Sequence, residues 1–418
     1  MAFPGVKIDP PSAAANSPLE RRLAKRNGVV RGSLSGKLNA PKNAFDSRLI
    51  PESSNRFRLF HFPRPNPMKN RLLQILISAS FLLGLVPIST AQTRIETRYP
   101  DEGWLAADGV YSVREPEQGN VFFLFSDTIC GTTQKNGQKF HDVFMVNHSF
   151  WKLSPEGKRE CFIPDKGKNL LPDRFWLQDA IFLDGKLHFS AMIPNPGNWK
   201  PARMDWVTLS LLPNGTPDFQ NPEIIPNVPL LVKTPDRDFV WGAAILEDAD
   251  DGFLYVFGYL DQKKEFSRKD LIAARVNPKR LTDFSAWRFW NGQNWCEDKN
   301  QSCPLVKNIS AEFSISRIPA GPQKGSFILV NTRGGISPIV EYRTADSPIG
   351  PFSEPKIICR APEHKNGISA YNAKAHPALS TDEYLVFSYN LNRLGTLPRS
   401  PAEYRPQFWR IDYEFLGK

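Results

Sequence analysis

Four carboxylates recur at one kind of place in this chain. Asp108, Asp127, Asp179 and Glu312 each begin an apolar, strand-like run or stand opposite such a beginning. Asp108 and Asp127 are equidistant from a turn centred between residues 117 and 118, so an antiparallel hairpin sets them side by side. Two carboxylates across one such pair repel unless something uses them. Glu312 interrupts the run Ala311-Glu312-Phe313-Ser314-Ile315, where a buried acid without a task is costly. Arg333, roughly opposite Glu312, and Lys374 and His376 in a later run bring cations to the same ends. Trp104, Trp176 and Trp241 offer flat apolar faces near the rim.

One pocket holding these groups suits cleavage of glycosidic bonds. That reaction needs a carboxylic acid to protonate the leaving oxygen and a carboxylate on the other face of the sugar. A third acid nearby can hold the proton on its neighbour by like-charge repulsion, and Asp179 is expected as the orienting acid. Arg333 and Lys374 keep neighbouring carboxylates ionised and bind hydroxyls, while His376 binds substrate or an ion in the channel. Each residue also has an ordinary structural role open to it. Asp108 before Gly109 suits a turn, Asp127 a cap, and His376 an inner-strand hydrogen bond. The recurrence at equivalent positions is what points to a site.

Those positions imply the elements that hold them. From residue 105 onward the chain shows short alternating or apolar runs cut by Gly, Pro, Asn and Asp, an all-β pattern. A hairpin recurs five times, at 107–127, 179–191, 242–259, 312–331 and 374–389, roughly 55–75 residues apart. The spacing leaves room for two more strands each, among them 146–153, 206–212, 271–277, 340–344 and 407–413. Four-stranded units repeated radially make a β-propeller, so the expected fold is one five-bladed propeller over residues 92–418. A β-sandwich or two small β domains is the alternative. In a propeller the first strand of each blade starts at the mouth of the central channel, where the acids would converge.

Residues 69–91 read as a secretory leader: Lys-Asn-Arg, an apolar stretch 72–88, then Ser-Thr-Ala. Cleavage is expected near Ala91, with Met68 as the start of the signal peptide 68–91. Residues 1–67, rich in Pro, Ser, Asn and Arg, are expected to be disordered upstream sequence. A membrane anchor with a basic tail is the competing reading. The net charge of +10 comes from this leader. Residues 1–91 hold 14 of the 53 Lys and Arg and 4 of the 43 acids, leaving 39 of each beyond. A neutral mature chain carries no electrostatic footprint for nucleic acid. Export permits disulfides, and Cys296 and Cys303, flanking a short loop, are the expected pair among five cysteines. No Cys/His cluster suggests a metal, and no cofactor is expected. The run Lys263, Lys264, Arg268, Lys269 reads as a solvated loop.

Three stretches carry a resemblance. They are Ala107-Asp108-Gly109-Val110-Tyr111-Ser112 with Phe123-Leu124-Phe125-Ser126-Asp127-Thr128; Met145-Val146-Asn147-His148-Ser149; and Tyr371-Asn372-Ala373-Lys374-Ala375-His376-Pro377 with Val386-Phe387-Ser388-Tyr389-Asn390. Together they resemble the five-bladed propeller family formerly called domain of unknown function 4185, which includes endo-D-arabinanases. The resemblance spans 104–415 and implies that Asp108 and Asp127 are the catalytic pair and that Asn147 belongs to the site. Ser126 departs from it, since the family more often has Gly there.

The expected protein is an exported, monomeric glycoside hydrolase acting on a polysaccharide such as an arabinan. Asp108 and Asp127 lead the chemistry, Glu312 is general acid or stabiliser, and the mature chain is not inserted in a membrane. The competing readings are a propeller that binds carbohydrate without cleaving it and a structural propeller with an unused channel.

Overall fold

The computed structural model describes residues 92–416, apart from 135, 197, 249, 264–267, 394 and 395. The expectations for 1–67 and 68–91 lie outside the described residues. Runs rich in Val, Ile, Phe, Tyr and Trp form strands, and among the described residues the only helical segments are 3-10 turns.

Five antiparallel sheets follow one another along the chain, each wound up and down in sequence order. The first holds Tyr111–Arg114, Val121–Phe125, Ser149–Leu153 and Arg159–Phe162. The second holds Trp176–Leu183, Lys186–Pro194, Pro201–Ser210 and Glu223–Ile225. The third is larger, seven strands between Leu231 and Ile309 with Arg237–Asp248, Phe253–Gln262 and Lys269–Val276 at its heart. The fourth holds Phe313–Arg317, Phe327–Thr332, Ile339–Ala345 and Lys356–Arg360. The fifth holds Ser369–Ala375, Tyr384–Asn392 and Gln407–Asp412, and its outer strand is Gln92–Arg94 from the other end of the described chain. A sixth, three-stranded sheet, Glu102–Ala107, Thr128–Gln134 and Lys139–Val146, stands outside this pattern. It splits the strand expected over 146–153 in two at Asn147-His148.

The sheets pack face to face in chain order. Val121–Phe125 shows why its five residues are all buried. The pleat sends successive side chains to opposite faces. Phe122 and Leu124 pack with Leu187 and Phe189 of the second sheet. Val121, Phe123 and Phe125 pack with Val386 and Phe408 of the fifth. The second, third and fourth sheets share one apolar cluster, and the fourth and fifth another. The strands Tyr111–Arg114, Trp176–Leu183, Arg237–Asp248, Phe313–Arg317 and Ser369–Ala375 touch in that order, and the turn Pro377–Leu379 that follows the last of them returns to Tyr111–Arg114. Buried hydroxyls stitch neighbours: Ser126 Oγ donates to the Leu177 carbonyl at 3.3 Å, Ser190 Oγ to the Gly242 carbonyl at 3.0 Å, and the Ala375 N–H to Ser314 Oγ at 2.7 Å.

All five cysteines are free, so the expected Cys296–Cys303 bond is not formed. Cys296 Sγ instead lies 3.4 Å from the carbonyls of Phe289 and Asp298.

Candidate active site

The first hairpin has the register its turn implies. Tyr111 pairs with Leu124 and Val113 with Phe122. Continued, this sets Asp108 opposite Asp127, and the Asp108 N–H donates to the Asp127 carbonyl at 3.2 Å. Gly109 has φ +61°, and a Cβ there would lie 2.5 Å from Ser126 Oγ, so the chain tolerates only glycine beside Asp108.

A cavity of about 480 Å³ opens beside this pair, lined by Asp108, Trp176, Glu312, Tyr371 and Asn372. The Tyr371 hydroxyl donates to Asp108 Oδ2 at 2.7 Å. Glu312 accepts Lys374 Nζ on Oε2 at 2.5 Å and Asn372 Nδ2 on Oε1 at 2.7 Å. Lys374 is buried and lies 4.1 Å over the Tyr111 ring. Trp176 Nε1 donates to Asp127 Oδ1 at 3.0 Å. A second cavity of about 350 Å³ is lined by Tyr111, Asp179, Ile245, Ser314 and Lys374, residues from strands of all five sheets. Glu312 lines the first cavity and Lys374 the second, so their ion pair joins the two linings.

Burial pushes the Asp108 carboxyl well above the usual carboxylate range, and the negative charges of Asp127 and Glu312 push it further. The hydroxyls of Tyr371 and Tyr404 oppose this without cancelling it. Burial also raises Asp127, less far, because the Trp176 N–H and the Arg174 charge favour its ionised form. Two acids this close give up their protons as a pair, with one proton retained toward neutral pH. Asp179 is raised to about 6 by burial, opposed by the N–H groups of Ile245 and Ala180.

The expected residues therefore divide. Asp108, Glu312 and Trp176 line one cavity, and Lys374 and Asp127 touch members of it. Asp179 instead ties sheets together: its oxygens accept the N–H of Ala180 at 3.0 Å and of Ile245 in the third sheet at 2.7 Å. His376 is a correction. Its ring nitrogens meet the hydroxyls of Ser112 at 2.9 Å and Ser388 at 2.7 Å, so neither is left for substrate or ion. Burial, with Lys374 nearby, lowers it to about 3. Arg333 is a second correction. Phe313 pairs with Asn331, which puts Thr332 opposite Glu312, and Arg333 Nε bonds Glu341 at 2.6 Å instead. Trp104 and Trp241 are core residues, at 1% and 0% exposure, packed against Trp151 and Phe289 respectively. Asn147 reaches Asn169 at 3.5 Å and is not among the described lining residues.

Other residues went unassigned in the sequence. Tyr371 and Asn372 lie in the stretch 371–377 that carries the resemblance, but only a strand irregularity turns both toward the acids. Trp199 lines the cavity with its ring 5.8 Å from Trp176 and 9° from parallel. Lys269, read as loop, also lines it, and Lys263 is paired with Asp238 at 2.8 Å. Among the described residues no group of three or more His, Cys, Asp and Glu side chains is arranged to hold a metal.

Fold and site together define an all-β protein with an acid-lined cavity where its sheets meet. The chain belongs to the family described as domain of unknown function DUF5005, whose model matches residues 93–413. That is a different family from the one the motifs resemble. No curated protein matches the sequence. Among solved structures the chain is similar to a provisionally named hydrolase from Bacteroides ovatus, at 19% identity and a TM-score of 0.56, covering 75% of this chain and 87% of that one. At this identity the likeness is one of fold. Weaker likenesses link it to an exo-β-1,3-galactanase from Phanerochaete chrysosporium (13% identity, 77% and 64% covered, TM-score 0.44) and to the GH43_1 enzyme from Xanthomonas citri (14%, 77% and 90%, 0.40).

Proposed function

We propose that this chain is a glycoside hydrolase that cleaves a polysaccharide in the cavity shared by Asp108 and Glu312. The observation that carries the reading is the contrast between two acids in one cavity. Asp108 is held toward its protonated form by burial and by Asp127. Glu312 is ion-paired with Lys374. Glycoside hydrolysis uses that contrast. The Asp108 carboxyl gives its proton to the glycosidic oxygen as the bond from that oxygen to the anomeric carbon breaks. Glu312 acts from the other face of the sugar, as base for a water or as nucleophile. Asp127 keeps the proton on Asp108 and orients Trp176, where the motif resemblance implies only that the two form a catalytic pair. Trp176 and Trp199 present stacked rings to a sugar face.

The five sheets act as blades of one propeller. The cyclic order of their packing, the cavity lined by residues from all five sheets, and the outer strand shared between the chain's ends support this. A furanoside polymer of the arabinan kind is the substrate class, on the strength of the motif resemblance. The protein works as an exported monomer after cleavage near Ala91. The test is release of reducing ends from a panel of arabinans, fructans, xylans and galactans. Cleavage of one polymer, reduced about a thousandfold in Asp108→Asn and in Glu312→Gln, is expected. Binding without cleavage would assign the cavity to carbohydrate recognition alone.

A further inference from the structure

The fifth sheet carries an irregularity where the site takes its donors. In its first strand Tyr371 pairs with Asn390 and Lys374 with Ser388, so three steps on this strand oppose two on its partner. That extra residue is a β-bulge. In a regular strand positions 371 and 372 would face opposite sides. Here both side chains line the same cavity. Asn372 takes φ +53°, a left-handed conformation that Asn adopts more readily than most residues. The Ala373 N–H, freed from the ladder, donates to Thr332 Oγ1 of the fourth sheet at 3.0 Å. Tyr371 is also bridged to Ile336. The bulge is thus anchored from the neighbouring sheet, independently of the two acids.

We propose that this bulge is the positioning device of the site: Tyr371 holds Asp108 and Asn372 holds Glu312, so one backbone irregularity fixes both carboxylates relative to each other. The inference rests on the hydrolase reading above. Tyr371 acts through Asp108, and Asn372 through Glu312. The charged and titratable groups facing Asp108 are Asp127, Glu312, Tyr371 and Tyr404. Of these, Tyr371 opposes the upward push of burial and of the two acids by donating to the carboxylate. Removing its hydroxyl therefore raises Asp108 further.

The experiment compares the full chain with Tyr371→Phe and Asn372→Gly on the panel polymer it cleaves fastest. Glycine keeps the left-handed backbone of residue 372 and deletes only the donor. In Tyr371→Phe the alkaline limb of kcat/KM moves to higher pH and kcat falls about tenfold, with KM within about twofold. In Asn372→Gly kcat falls about tenfold and the limb stays. Melting temperatures of both stay near that of the parent. An unmoved limb in Tyr371→Phe, or undiminished kcat in Asn372→Gly, overturns the inference while leaving the hydrolase reading intact. If the parent cleaves no polymer, the hydrolase reading alone fails. Titration of Asp108 by carboxyl-carbon NMR, its signal assigned with Asp108→Asn, then decides: a midpoint raised in Tyr371→Phe supports the device, and an unchanged midpoint overturns it.

Discussion

Asp108 costs the fold something to keep, and the sign of that cost is measurable. Its folded pKa lies above the unfolded value, so its contribution to stability is fully present below about pH 4 and is lost as pH rises through the folded pKa. Asp108→Asn, which cannot ionise, should therefore melt above the parent at alkaline pH by roughly 1–3 kcal/mol, with the gap closing toward pH 4. A gap that widens on acidification would contradict the burial argument. Asp179 is raised in the same direction, but its oxygens serve two backbone N–H groups, so removing it should destabilise the fold. Asp179→Ala leaves both without an acceptor and should cost roughly 2–3 kcal/mol in denaturant unfolding. At this scale the sequence was informative where a turn centre could be located. The mirror relation of Asp108 and Asp127 survives in the pairing of Tyr111 with Leu124. It misled at Arg333, where a one-residue slip in register moves the side chain to the other face. It also misled at Trp104 and Trp241. A tryptophan just before an expected hairpin has the same spelling whether its ring caps a core or faces a cavity, and only packing against Trp151 and Phe289 separates the cases.

Elements explain the residues that spacing alone missed. Strand existence was legible from apolar runs between turn residues, as at Val121–Phe125 and Phe327–Thr332. Irregularities within strands were not. A bulge adds one residue without altering composition, so the turning of Asn372 toward Glu312 has no sequence signature. The break at Asn147-His148 is likewise silent, because the residues on both sides read as strand. Close approach of strands makes a separate prediction. A Cβ on Gly258 would lie 1.9 Å from the Val240 carbonyl oxygen, a backbone atom of the paired strand. Gly258→Ala must therefore displace the centre of the third sheet. Thermal melting should show a loss of roughly 1–3 kcal/mol. A variant as stable as the parent would mean that the two strands are not paired this closely.

At the scale of the whole molecule, the outer strand Gln92–Arg94 joins the two ends of the described chain through the fifth sheet. Deleting residues 92–95 exposes the edge of Gln407–Asp412 and should lower the melting temperature by several degrees, with cleavage at low temperature retained. An unchanged melt would show that the closure contributes nothing. The central claim is that Asp108 is the proton donor, held protonated by Asp127 in a cavity it shares with Glu312. The measurement that tests it most directly is the pH dependence of kcat/KM for polysaccharide cleavage, in the parent and in Asp127→Asn. The account predicts an alkaline limb well above the ordinary carboxylate range in the parent. It predicts that the limb moves to lower pH in Asp127→Asn, because removing the neighbouring negative charge lets Asp108 ionise more easily. A limb that stays where it was in Asp127→Asn, or moves upward, would contradict it.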